Sequence, residues 1–98
     1  MENRVPPQNI EVEQSLLSCL FLDKDAVISV SGWLLPEHFY DDRNKIVYEN
    51  ILELFNDAQP VDLVTLADKL KKKKLLTKIG GRTYLGDISA ITTTPSHA

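Results

Sequence analysis

Gly81-Arg82-Thr83-Tyr84-Leu85-Gly86-Asp87-Ile88 has two glycines at the separation of a phosphate-binding loop, G-x-x-x-x-G-K-[ST], so nucleotide chemistry is the first question the chain raises. The groups that would do the work are missing. Asp87 stands where a lysine would reach the phosphates and Ile88 where a hydroxyl would hold magnesium, and a carboxylate at that point repels a nucleotide. Cys19, His38 and His97 are scattered, without the spacing of metal ligands. Cys19 has no histidine within helical reach to activate it and reads as a small buried thiol. His38 reads as a capping or packing residue. Asp41-Asp42 offers a carboxylate pair, but adjacent acids at a helix start serve as a cap and a complement to the helix dipole. The chain therefore contains no catalytic constellation, and by itself it is expected to hold neither metal nor cofactor.

The elements that position these residues are helical. Asn9 is a good N-cap, after an extended lead-in over residues 1–9 that contains Pro6-Pro7. Val12, Leu16, Leu17, Leu20 and Phe21 then form the apolar face of a first helix ending at Leu22. Asp23 or Asp25 caps a short second helix through Val27, Ile28 and Val30, with a strand as competitor because those residues are β-branched. Residues 32–40 are punctuated by Gly32 and Pro36 and read as a loop or single turn, pinned into the core by Trp33 or Phe39. From Asp42 to about Asn56, Val47, Ile51, Leu54 and Phe55 repeat at helical spacing, and Tyr48 and Leu52 widen the stripe to a second face. A stripe that broad belongs to a helix that is surrounded or that meets a partner.

Pro60-Val61-Asp62-Leu63-Val64-Thr65-Leu66 delivers the next helix, Leu63 to about Lys72. Asp62 is its cap, Val61 and Leu66 stand at hydrophobic-staple positions, and Leu63, Leu66, Ala67 and Leu70 form a face that upstream elements should cover. Leu75-Leu76 and Ile79 anchor a connector, Gly80-Gly81 gives backbone freedom, and Tyr84, Leu85, Ile88 and Ile91 mark a last helix. The reading is an all-α fold, a compact bundle of about five to six short helices over residues 10–91, with 92–98 as the start of a linker or helical hairpin.

With 98 residues, 43% hydrophobic and 26% charged, the chain is sized for one small domain. One cysteine allows no internal disulfide, in keeping with a cytoplasmic setting, and no apolar run is long enough for a membrane span. The net charge of −3 speaks against a general nucleic-acid binder, yet Lys69, Lys71, Lys72, Lys73, Lys74 and Lys78 are crowded into one stretch. Such a run is ordinarily a solvated helix end. A stand-alone DNA-binding helical domain, with Lys69 to Lys74 on phosphates, is an alternative reading.

Four segments in order resemble the N-terminal domain of DnaB-family replicative DNA helicases. They are Pro6-Pro7-Gln8-Asn9-Ile10-Glu11-Val12-Glu13-Gln14-Ser15-Leu16-Leu17, Leu35-Pro36-Glu37-His38-Phe39-Tyr40, Pro60 to Leu66, and Ile79-Gly80-Gly81-Arg82-Thr83-Tyr84-Leu85. Together they cover most of residues 6–91. The chain departs from the pattern at Ser18-Cys19, where small glycine-type residues are frequent, at His38, a commonly acidic position, and at Asn44, often His.

The resemblance implies an oligomerisation and partner-docking domain of a hexameric helicase that unwinds duplex DNA at the replication fork. ATP and Mg2+ would act in a RecA-like domain beyond Ala98, through which most DNA contact would pass. The implied partners are further copies of the chain, a DnaG-type primase and a helicase loader, with no membrane. Glu11 and Tyr84 match family positions linked to primase coupling. Tyr48, Leu52 and Phe55, on the wide stripe, are the candidates for self-association. An adaptor or helicase-loading protein with the same fold is the remaining alternative.

Overall fold

Three helix starts are built on an aspartate that does the same job. The side chains of Asp23, Asp41 and Asp62 accept hydrogen bonds from the backbone N–H groups of Asp25, Arg43 and Thr65 at 2.9, 2.7 and 2.8 Å, satisfying donors that the first helical turn leaves unpaired. In the computed structural model, which describes residues 10–93, these caps open α2 (Lys24–Ser31), α3 (Asp42–Asn56) and α4 (Leu63–Lys72). The first helix, α1, spans Ile10–Leu22, and the last, α5, spans Gly81–Thr93; a 3-10 turn at Pro36–His38 precedes α3. The predicted Asn9 cap, the Pro6-Pro7 lead-in and residues 94–98 lie outside the described residues. No strand occurs among the described residues, so the cap at Asp23 prevails over the β-branched run that follows it.

Helix ends follow a common pattern too. After α3, Ala58 and Gln59 donate to the carbonyls of Phe55 and Leu54 with Ala58 at φ 59°; after α4, Lys74 and Leu75 donate to Lys71 and Leu70 with Lys74 at φ 64°. Both are Schellman closures, in which the left-handed residue lets the chain turn back and pair the last carbonyls. A similar closure uses glycine: Gly80, at φ 105°, donates to Thr77, and Gly81 donates to Leu76. A Cβ on Gly80 would lie 3.2 Å from the Tyr84 Cβ, so this position needs glycine both for its backbone angle and for space.

The core is one cluster. Leu17, Leu20, Val27, Val47, Tyr48, Ile51, Leu66, Leu70, Ile79, Leu85 and Ile88 are almost wholly removed from water. α3 runs through the middle against α1, α2, α4 and the 3-10 turn, while α1 and α5 share the most extensive helix–helix contact. α4 is covered by α3 upstream and also by α5 downstream, where sequence spacing alone pointed only upstream.

Two expectations need correction. Cys19 is exposed, because the buried stripe of α1 passes through Glu13, Leu17, Ser18 and Leu20 and position 19 points off it. Val12, expected on that face, is 64% exposed. Of the two aromatic anchors expected for residues 32–40, Phe39 is the buried one, 5.0 Å from the Tyr48 ring centroid, while Trp33 is exposed with its indole N–H donating to the Ser29 carbonyl.

Candidate partner-docking site

Polar residues stand on the apolar stripes of two helices. Glu13 and Asn44 occupy core positions on α1 and α3, and both are buried. Glu13 Oε2 accepts from the Tyr40 N–H at 2.5 Å, and Oε1 accepts from the Asp41 N–H at 3.3 Å and from Asn44 Nδ2 at 2.9 Å. Because the Asn44 amide nitrogen is committed to that carboxylate, its Oδ1 must be an acceptor, and the Tyr84 hydroxyl donates to it. Gln14 Nε2 donates in turn to the Tyr84 oxygen at 3.1 Å. The result is a directional chain from Gln14 through Tyr84 and Asn44 to Glu13, tying α1, α3 and α5 together.

Arg43 closes the top of this chain. Its guanidinium makes a two-point pair with Asp41, at 3.1 and 2.9 Å, and lies 4.4 Å from the Tyr84 ring centroid, a cation–π distance. The guanidinium beside Asp41 holds its carboxyl below the usual carboxylate range, and burial pushes the Tyr84 phenol up. Tyr84 is thus a fully engaged inner residue, 7% exposed. Glu11, the other residue implied in primase coupling, is exposed one turn before Gln14 on the same side of α1. Tyr84 reaches this side of α1 through the hydrogen bond it accepts from Gln14.

The self-association candidates divide. Tyr48 is withdrawn: it is 0% exposed, packed against Phe39, with its hydroxyl donating to the Leu34 carbonyl at 2.7 Å, so it offers nothing to a partner. The second face of the stripe at that point is covered by the 32–40 segment. Leu52 and Phe55 are half-buried. Phe55 also borders a groove of about 640 Å³ whose other apolar walls are Leu20, Phe21, Leu22, Pro60 and Val61.

Gly81 to Ile88 lies within α5, so the glycine spacing is not a phosphate loop. Among the described residues no group of three His, Cys, Asp or Glu side chains is placed to hold a metal ion, and no helix is long and apolar enough to cross a membrane.

Residues 5–98 match the family model described as the DnaB-like helicase N terminal domain. The chain belongs to this family. The replicative DNA helicase DnaC of Bacillus subtilis is 40% identical over 89 residues, 91% of this chain and 20% of that protein. The replicative DNA helicase DnaB of Geobacillus stearothermophilus is 38% identical over 86 residues, 88% of this chain and 19% of its own length. The chain thus spans about a fifth of these relatives. The crystal structure of the N-terminal domain of DnaB helicase from Mycobacterium tuberculosis superposes with a TM-score of 0.82 at 40% identity, covering 88% of this chain and 62% of that one. The all-α architecture is therefore that of a DnaB N-terminal domain.

Within this DnaB-type domain the lysine-rich stretch is partly neutralised. Glu53 Oε1 receives Lys73 at 2.7 Å and Lys69 at 3.0 Å, which together hold the Glu53 carboxyl below the usual range, Lys73 first. Lys72 pairs with Asp68 at 3.2 Å. The buried pairing of Glu13 with Asn44 was not read from sequence, although a signal existed. Asn44, Val47, Tyr48 and Ile51 fall at i, i+3, i+4 and i+7, so a polar residue stands on a core stripe, where it must find a buried partner.

Proposed function

We propose that this domain is the N-terminal oligomerisation and partner-docking part of a hexameric, ATP-dependent replicative DNA helicase, and that it helps to recruit a DnaG-type primase. ATP and Mg2+ would act elsewhere in the full-length protein, in a RecA-like domain. The residues here do not fit a nucleotide, since Gly81 to Ile88 is helical and Asp87 would oppose its phosphates. What supports the docking role is an open groove beside Phe55, in which Phe21, Leu22, Pro60 and Val61 stand among the polar Lys24, Gln59 and Asp62, with membership of a helicase family supplying the context.

A second copy of the chain is the partner for Leu52 and Phe55. Glu11 is the direct primase contact, and Tyr84 acts as a positioning residue that fixes α1 through Gln14. Sedimentation velocity of the Leu52→Glu variant tests the first role. Helicity should be retained and self-association weakened, whereas an unchanged profile for the folded variant would refute it. The same runs with primase added test the second role: Glu11→Lys should reduce co-sedimentation, and equal co-sedimentation removes Glu11 as a contact.

A further inference from the structure

The ion pairs described above leave an uneven charge distribution behind α4. Lys69, Lys72 and Lys73 have carboxylate partners, but among the described residues no carboxylate lies within ion-pair distance of Lys71, Lys74 or Arg82. These three exposed cations, together with Leu76 and Thr77, line one open cleft of about 350 Å³ where the end of α4 meets the start of α5. Lys78, also exposed, follows directly in the chain.

Helix dipoles account for only part of this gathering. Lys71 lies in the last turn of α4, where a cation is favoured, but Arg82 lies in the first turn of α5, where the positive end of the helix opposes it. Lys74 holds the left-handed C′ position at φ 64°, one that glycine fills without steric cost. A cation therefore stands at a strained site, a second at the wrong end of a helix, and a third beside them without a counter-charge. The placements of Lys74 and Arg82 oppose local stability, and all three cations deepen one positive potential.

We infer that the Lys71, Lys74 and Arg82 cleft is a contact for the phosphodiester backbone of nucleic acid, independent of base sequence. Lysine is a point-charge binder of phosphate and is depleted at protein–protein interfaces, where aromatic residues prevail, and this cleft has two lysines and no aromatic wall. The flexible stems of Lys71 and Lys74 suit a backbone whose phosphates are regularly spaced, and the Thr77 hydroxyl is a neutral donor among them. The names of the relatives, replicative DNA helicases, agree with a nucleic-acid strand passing nearby. This contact goes beyond self-association and primase docking and requires neither.

Fluorescence anisotropy of labelled mixed-sequence oligonucleotides, single- and double-stranded, tests the inference on this chain. Three phosphate contacts predict that affinity falls about 20-fold for single strands and about 40-fold for duplex between about 50 and about 200 mM salt. The combined Lys71→Gln, Lys74→Gln and Arg82→Gln variant should lose most binding at the lower salt, while Lys72→Gln, which removes a cation already paired, should keep the parent's salt slope. Lys74→Gly should melt at a higher temperature yet bind more weakly. No binding at about 50 mM salt overturns the inference, as does a Lys74→Gly or triple variant that binds like the parent. Displacement by poly-glutamate as readily as by oligonucleotide at equal charge also overturns it, in favour of an acidic protein partner. Sedimentation of the triple variant reads self-association separately, so failure here is distinguishable from failure of the docking role.

Discussion

Asn44→Ala and Tyr84→Phe, made singly and together, measure whether the buried chain from Gln14 to Glu13 acts as a unit. Asn44→Ala removes the amide donor to the Glu13 carboxylate and the acceptor of the Tyr84 hydroxyl, at a site that is 0% exposed. A bond to a charged group contributes about 1.5–3 kcal/mol and a neutral one about 1, so a loss of about 3 kcal/mol is expected. Tyr84→Phe leaves the Asn44 Oδ1 buried without its donor, whereas Gln14, half-buried, can turn to water; the expected loss is about 1–2 kcal/mol. In the double variant no orphan oxygen remains, so its cost should fall short of the sum by about 1 kcal/mol. Urea unfolding at equilibrium is the assay, and a domain of this size, with about 5–15 kcal/mol in hand, tolerates each change. Two costly single changes that add to within about 0.5 kcal/mol would refute the idea of a coupled chain, and a cost below about 1 kcal/mol for Asn44→Ala would show that the site is rehydrated.

Asp62→Ala removes the 2.8 Å cap on the Thr65 N–H and should cost about 1 kcal/mol, a fall in melting temperature of about 4–8 °C; an unchanged melting temperature would mean that the cap contributes nothing. The carboxyls of Asp41 and Glu53 are both held below their ordinary values, so the stability they contribute is present above the usual carboxylate range and is lost as pH falls through their lowered folded-state values. Thermal unfolding followed from pH 7 downward should therefore show stability declining below about pH 4, and less steeply in Glu53→Gln. Burial raises the Tyr48 and Tyr84 phenols, so stability should also decline as pH rises above about 10, where the unfolded chain ionises first.

Much of the fold was legible before any coordinates, because its signals are local. α3 and α4 begin and end where caps and spacing placed them, since an aspartate accepting an N–H two or three residues on needs nothing from the rest of the chain. The motif Pro60 to Leu66 and the Gly80-Gly81 pair likewise identify the family within the sequence, and the glycine pair has a backbone reason for being there.

Only the tertiary structure decided which side of each helix meets water. Period alone placed Val12 and Tyr48 on stripes without saying how wide the covering elements are; the 32–40 segment buries Tyr48, and nothing among the described residues covers Val12. The choice between Trp33 and Phe39 was open for the same reason, since both are aromatic and only packing against Tyr48 separates them. The candidate site was the least legible part. The hydrogen bonds that join Gln14, Tyr84, Asn44 and Glu13 span up to 70 residues of sequence, so the sequence by itself could nominate Glu11 and Tyr84 through resemblance but not the buried chain between α1 and α5. The lysine run shows the same division. Its composition was plain from the start, and which of its cations are paired depended on where Glu53 and Asp68 came to lie.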